Sequence, residues 1–255
     1  MCGIFAAIIN HPIHDEFKIK LRENAILSQH RGPDCSVEEI LDDKTIYFMF
    51  HRLAINGLHE MGNQPMKIDK YPSTTLICNG EIYNFQKLAS DYGIRLTTGS
   101  DCEIIIHLYH KLGIDQCIRS LDGVFSFVIF DNNRKDVIIG HDPLGVRSLY
   151  WTNDVDCMIV SSELKCVHAL HDKIEMYPPG CYTLFGGDGV LQTTQYFQLP
   201  TYSMCDSLVN DSIPISIIQT KLLQSVKKRL LSERPIGCFL SGGIDSSIIA
   251  SLTSK

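Results

Sequence analysis

Met1-Cys2-Gly3-Ile4-Phe5-Ala6-Ala7-Ile8-Ile9 opens the chain, and the reading of this stretch decides the fold. Gly3 to Ile9 is an unbroken apolar run stopped by Asn10-His11-Pro12, which reads as a buried strand. It has no positive segment before it and no small-residue cleavage site, so a secretory signal is not expected. Removing Met1 would put a thiol and a free amine on one carbon. The amine titrates near 7.7 to 8.0 and the thiol near 8.5, so Cys2 would supply both a nucleophile and its base. The competing reading of Cys2 is a small buried hydrophobe.

Composition sets limits around this start. With 255 residues and 44% hydrophobic content, the chain can bury one large core or a domain plus part of a second. A net charge of −6 and a pI near 5.9 argue against nucleic acid as a partner. The one basic cluster, Lys227-Lys228-Arg229, falls on an amphipathic pattern and reads as a solvated face. No apolar run approaches the ~18 to 20 residues that cross a bilayer, so no membrane association and a cytoplasmic location are expected. Ten cysteines without a Cys-x-x-Cys pair read as reduced thiols. Glu103, His107 and His110 would share one helical face, but Ile104, Ile105, Leu108 and Leu112 already supply the apolar side. The histidines are therefore expected at solvent or a lip, with no metal in this part of the chain.

After a helical stretch from about Asp15, closed by Gly32-Pro33, short β-type runs recur at 45–50, 75–78, 123–130, 137–140, 148–151 and 158–160. Turns at Asp131-Asn132-Asn133-Arg134 and Gly186-Gly187-Asp188-Gly189 join neighbours as hairpins. Helical patterns at 101–112 and 162–170 interrupt them, which gives an α+β class with antiparallel meanders. Residues 1–200 form one expected domain and 201–214, rich in Ser and Asp, a linker. Residues 215–255 begin a second, α/β domain: a helix, a buried strand over Ile236–Leu240, then Ser241-Gly242-Gly243-Ile244-Asp245-Ser246-Ser247 and a new helix. Strand, glycine turn and helix N-terminus make a phosphate cradle suited to pyrophosphate. No Lys follows the glycines, so this is not a Walker-type loop. An ordinary Ser-Gly-Gly turn is the alternative.

Asn79-Gly80-Glu81 closes a strand-like run with an amide NH₂ and an approachable N–H, both suited to an oxyanion hole. Arg52 offers a planar fork for a carboxylate, while Glu81 and Asp101 suit an ammonium. Together they describe an amino-acid pocket. Each alone also reads more simply, Asn-Gly as a hairpin turn and Arg52 as the partner of any surface acid.

Five blocks now stand in order: Met1 to Phe5, His30-Arg31-Gly32-Pro33-Asp34, His51-Arg52-Leu53-Ala54-Ile55, Asn79-Gly80-Glu81-Ile82-Tyr83-Asn84 and Gly99-Ser100-Asp101. They are similar to class II glutamine amidotransferase domains in general, and the loop at 241–247 resembles that of glutamine-hydrolysing asparagine synthetases. The resemblance implies a four-layer α-β-β-α N-terminal-nucleophile domain followed by the incomplete start of an α/β nucleotide-binding synthetase domain. It implies Cys2 as nucleophile, with Asn79 and Gly80 as oxyanion donors. Arg52 would take the glutamine α-carboxylate, Glu81 and Asp101 its α-ammonium, and backbone from Leu53, Ala54, Ile55 and Asn56 would shape the pocket.

Leu240, Ser241, Gly242, Gly243, Asp245, Ser246 and Ser247 would meet ATP, used with Mg²⁺ to amidate aspartate. β-Lactam synthetases share the architecture but by resemblance lack the N-terminal cysteine. Only eight residues, Ile248 to Lys255, follow the loop. The expectation is a fragment of a longer synthetase, a chain completed by a homodimer partner or a separate polypeptide, or a glutaminase alone. A non-catalytic partner of a full synthetase, or the amidotransferase domain of another class II enzyme, is the alternative. His141, where the family usually carries Arg, reads as a tolerated surface change.

Overall fold

The computed structural model describes residues 1–42, 45–152, 154, 156–186, 190–200 and 214–254. Residues 187–189 of the expected hairpin turn, 201–213 of the expected linker, and Lys255 lie outside the described residues. The chain divides into two compact units, 1–198 and 199–255.

The first unit begins with β1 (Gly3–Ile9), α1 (Asp15–Ala25) and a 3-10 turn over Ile26–Arg31. β2 (Cys35–Leu41), β3 (Ile46–Arg52), β4 (Met66–Ile68) and β5 (Tyr71–Ile82) follow. Three helices come next: α2 (Phe85–Asp91), α3 (Glu103–Leu112) and α4 (Ile114–Ser120). Then come β6 (Gly123–Asp131), β7 (Asp136–His141), β8 (Tyr150–Trp151) and β9 (Cys157–Ser161). The short α5 (Lys165–His168), β10 (Glu175–Met176), β11 (Cys181–Phe185) and β12 (Leu191–Gln195) complete the unit.

The strands form two six-stranded sheets, ordered β10-β8-β9-β1-β3-β2 and β12-β11-β7-β6-β5-β4, and every pairing is antiparallel. Because strand side chains alternate, each sheet buries both faces. Ile4, Ala6 and Ile8 of β1 join Phe48 and Phe50 of β3 against Ile77, Val128, Phe130 and Ile139 of the other sheet. The alternate residues Phe5, Ala7 and Ile9 pack with Leu21 and Ala25 of α1 and Val167 of α5. On the far face of the second sheet, Leu76, Phe125 and Phe127 pack with Ile104, Ile105 and Leu108 of α3 and Ile118 of α4. The outcome is four layers, helix-sheet-sheet-helix.

Three differences from the sequence reading have simple causes. Residues 103–109 of α3 are all buried, because α2 and α4 cover what β5 leaves; of the two histidines only His110, half-buried beside the exposed Lys111, stands at a lip. His107 instead meets Glu103 at 3.2 Å. Burial of Glu103 opposes ionisation, but His107 and the N–H and hydroxyl donors of Thr97 and Thr98 outweigh it and hold the carboxyl at about 2. Asn79-Gly80 is not a hairpin turn: it lies within β5, opposite Ser126 and Phe125 of β6. His141 is buried at the end of β7, so the surface reading of this position is corrected.

In the second unit, α6 (Ile215–Lys227) and α7 (Ile244–Thr253) line an apolar cleft with Ile236 and Cys238. Residues 236–240 form no strand, and Phe239 and Leu240 are exposed. A central strand needs neighbours on both edges, and none pairs with this segment among the described residues. Among the described residues no helix is long and apolar enough to cross a membrane.

Candidate active site

Cys2 stands at the entry to β1, whose neighbours β3 and β9 fix it in the middle of the first sheet. Its Sγ accepts the Leu53 N–H at 3.3 Å and lies 3.5 Å from the Leu53 carbonyl. The Cys2 carbonyl accepts Arg31 Nε at 2.9 Å, and Arg31 pairs with Glu163 at 3.2 Å. Burial pushes the thiol above its ordinary value, against the hydrogen bond from Leu53. Burial also pushes the chain's α-amine, here on Met1, below its ordinary value. Both shifts favour the uncharged form of the group.

Facing Cys2 across one pocket is the open edge of β5. β4 pairs with β5 only at Leu76 and Tyr71, so from Cys78 onward that edge lacks a strand neighbour. Phe125, opposite Gly80, turns its own N–H and carbonyl to Asp142. Gly80 therefore points away from β6, as Cys78 and Ile82 do. Side chains serve the two outer amides: Gln64 Oε1 accepts the Cys78 N–H, and Asp101 Oδ2 accepts the Ile82 N–H at 2.7 Å. The Gly80 N–H lies between them on the same edge. Glycine is required there, because a Cβ would sit 2.6 Å from the Val124 carbonyl and 2.7 Å from Phe125. Asn79 is buried in the same pocket, and its Nδ2 has no hydrogen-bond partner among the described residues. An orphaned buried donor costs about 1 to 3 kcal/mol, a cost that an incoming oxygen would relieve.

The pocket is lined by Cys2, Arg52, Leu53, Ala54, Ile55, Asn56, Asn79, Gly80, Glu81 and Asp101, all the residues expected of the first domain's site. Arg52 serves the pocket wall: Nη1 donates to the His59 carbonyl at 3.0 Å and Asn63 Oδ1 at 2.6 Å, and Nη2 to the Asn56 and Gly57 carbonyls. Burial raises the Asp101 carboxyl to about 6, the largest of several causes; the Ile82 N–H and the Asn56 side chain pull the other way. Gln64 and Asn63 escaped the sequence reading of the site, and so did three further residues. Asp34 Oδ2 accepts the Ala54 N–H at 2.8 Å and so holds the pocket loop, and Arg31 steadies Cys2. Arg147, also on the wall, pairs with Glu81 at 2.8 Å. The signal for Asp34 and Arg31 was the His30-Arg31-Gly32-Pro33-Asp34 block itself.

The loop at 241–247 belongs to the second unit. Gly242 takes a φ of +84°, and Gly243 precedes α7. Ser246 and Ser247 donate back to the Gly243 carbonyl at 3.0 and 2.8 Å, and Ser241 meets Ser246 at 3.0 Å. The exposed N–H groups at the start of α7 fit a phosphate. Asp245 is the loop's one carboxylate, and no cluster of three metal-ligating side chains occurs among the described residues, so no Mg²⁺ ligand set is assigned.

A two-sheet sandwich that carries a thiol at residue 2 into a pocket with an open strand edge is the architecture of a glutamine amidotransferase domain. The chain belongs to that family, whose model matches residues 1–196; residues 218–255 match the asparagine synthase family. Among curated proteins it is 37% identical over 262 residues to a probable glutamine-hydrolysing asparagine synthetase of Schizosaccharomyces pombe, covering 100% of this chain and 45% of that one. The Homo sapiens asparagine synthetase is 35% identical over 277 residues, again over 100% of this chain and 48% of the relative. The chain thus spans about half the length of the curated relatives it matches. Among solved structures, the glutamine phosphoribosylpyrophosphate amidotransferase of B. subtilis aligns with a TM-score of 0.63 at 18% identity, over 99% of this chain and 64% of that one. An allosteric regulatory enzyme of purine biosynthesis gives 0.64 at 20%, over 99% and 63%. Both likenesses concern the fold.

Proposed function

We propose that the chain is the glutaminase part of a glutamine-hydrolysing asparagine synthetase, acting in the reducing cytosol, where a free thiol persists. The observation that carries this reading is the meeting of Cys2 Sγ with the orphaned Asn79 Nδ2 and the Gly80 edge in one pocket. Once Met1 is removed, the α-amine of Cys2 takes the thiol proton as Sγ attacks the side-chain amide carbon of glutamine. The oxyanion forms against Asn79 Nδ2 and the Gly80 N–H. Ammonia leaves with a proton returned from the amine, and water then splits the thioester to give glutamate. Arg52 exchanges a loop carbonyl for the α-carboxylate, Glu81 and Asp101 receive the α-ammonium, and backbone from Leu53 to Asn56 closes the wall.

The match of residues 218–255 to asparagine synthase supports a destination for the ammonia. ATP, used with Mg²⁺, would activate the aspartate carboxylate for attack by ammonia. For this chain's own residues, the α7 N-terminus with Ser241, Gly242, Gly243, Asp245, Ser246 and Ser247 would hold phosphate, with Leu240 beside it. The domain limits proposed are 1–200 for the glutaminase, 201–214 for the linker and 215–255 for the start of the synthetase. A second reading, in which this chain is a binding partner completed by another polypeptide or a second copy, draws on the exposure of Ile236, Phe239, Leu240 and Ile244. Ammonia release separates the two. The wild-type chain should release ammonia from glutamine and Cys2→Ala should lose at least about 10³-fold; an unchanged rate in Cys2→Ala would falsify the glutaminase assignment.

A further inference from the structure

Arg147 and Glu81 meet on the pocket wall, and the turn that delivers Arg147 is braced from within by a histidine. The sequence Asp142-Pro143-Leu144-Gly145-Val146-Arg147 wraps around the Asp142 carboxylate, which accepts the N–H groups of Leu144 at 3.0 Å, Val146 at 3.1 Å and Arg147 at 3.2 Å. Gly145 adopts a φ of +65°, and a Cβ there would meet Pro179 at 2.9 Å and the His141 ring at 3.2 Å. His141 is buried beneath this turn. Its Nε2 lies 2.7 Å from the Arg147 carbonyl and its Nδ1 3.2 Å from the Tyr177 carbonyl, while its own carbonyl accepts the Tyr196 hydroxyl at 2.7 Å. Both ring nitrogens therefore face acceptors, and the ring ties the end of the turn to the strand connection at Tyr177. From that fixed point the Arg147 side chain reaches Glu81 at 2.8 Å, with both side chains mostly buried.

We infer that His141 is a positioning residue for the glutamine pocket: by clamping the Arg147 carbonyl it holds Arg147 against Glu81, which sets the carboxylate that receives the substrate ammonium. The inference rests on the glutaminase reading for the role of Glu81, but the clamp itself is a statement about this chain's geometry. A polar side chain that fixes a carbonyl at one position of a turn fixes the direction in which the next group projects, and an ion pair this close loses its geometry when either partner is released. The effect of His141 is therefore expected on substrate capture, through Arg147 and Glu81.

Steady-state glutamine hydrolysis by the full chain tests this with His141→Phe, which keeps an aromatic ring and removes the nitrogens that face the two carbonyls. KM for glutamine should rise roughly tenfold, with kcat within about twofold, because one buried carbonyl loses its donor. His141→Arg, which restores donors, should return KM to within about threefold of the parent. Arg147→Met should raise KM to the same extent as His141→Phe, and the double variant should add little more. A KM unchanged in His141→Phe, or a fall in kcat at constant KM, overturns the inference. If His141→Phe does not fold, Arg147→Met and His141→Gln decide it, and unchanged KM in both overturns it. A crystal structure of His141→Phe that still joins Arg147 to Glu81 at under about 3.2 Å also overturns it, whether or not glutamine is hydrolysed. A parent chain that retains the pair yet releases no ammonia defeats the glutaminase reading instead; the variant structures then decide the clamp.

Discussion

The pocket of the first unit and the loop of the second are both polar and glycine-dependent, yet they are built in opposite ways. Around Cys2 several groups are held by partners distant in sequence: Asp101 by Ile82, Glu81 by Arg147, the pocket loop by Asp34. Around Ser241 the hydrogen bonds run within six residues, and the side chains are exposed. A site whose partners come from several elements inherits the rigidity of the packed sheets. One whose partners are local has only its own turn to rely on. The first is shaped before substrate arrives, and the second gains its geometry from what surrounds it.

Three measurements can break or sharpen this contrast. The largest effect is expected for Asn79→Ala, which should lower kcat for glutamine hydrolysis by about 10² to 10³ while leaving Tm within a degree or two, since the lost amide nitrogen has no partner to miss it. A small rate effect with a large fall in Tm would mean that Asn79 is structural. Next in size is Asp101→Asn. The folded carboxyl titrates near 6, above its unfolded value near 3.9, so this group's contribution to stability is greatest below about pH 4 and is lost as pH rises through 6. The amide should therefore raise Tm by a few degrees at pH 8, leave it unchanged at pH 4, and raise KM for glutamine about tenfold or more. Thermal melts at the two pH values check the first part and initial rates the second. The smallest effect is for Ser246→Ala, which should leave glutamine kinetics and the main thermal transition unchanged; a shift in either would show that the loop is tied to the pocket.

Much of this was readable from the chain. Apolar runs located β1, β3, β6, β7 and β9, because a strand covered on both faces has no reason to alternate with polar residues. β2, Cys-Ser-Val-Glu-Glu-Ile-Leu, escaped because it is a half-buried edge strand carrying two acids. α2 and α4 are seven residues each, too short for a helical period to show. Cys2, Asn79, Gly80, Glu81 and Asp101 were legible by residue type. Arg147 and His141 were not, because their importance comes from a pairing across the fold, with Glu81 and Tyr177, and a local pattern carries no trace of such a pairing. The misread strand at 236–240 teaches the converse: a short apolar run earns its extended form from neighbouring strands.

The position of β1 has a practical consequence for anyone handling this protein. Every residue from Gly3 to Ile9 is buried, with β3 along Gly3–Ile8 and β9 along Phe5–Ile9, and Met1 and Cys2 already line the pocket. Under the glutaminase reading, an affinity tag or fusion partner joined ahead of Met1 lies beside the pocket and blocks exposure of the Cys2 amine. Purification handles belong at the other terminus, and an N-terminally tagged preparation that is inert toward glutamine says more about its tag than about its chemistry.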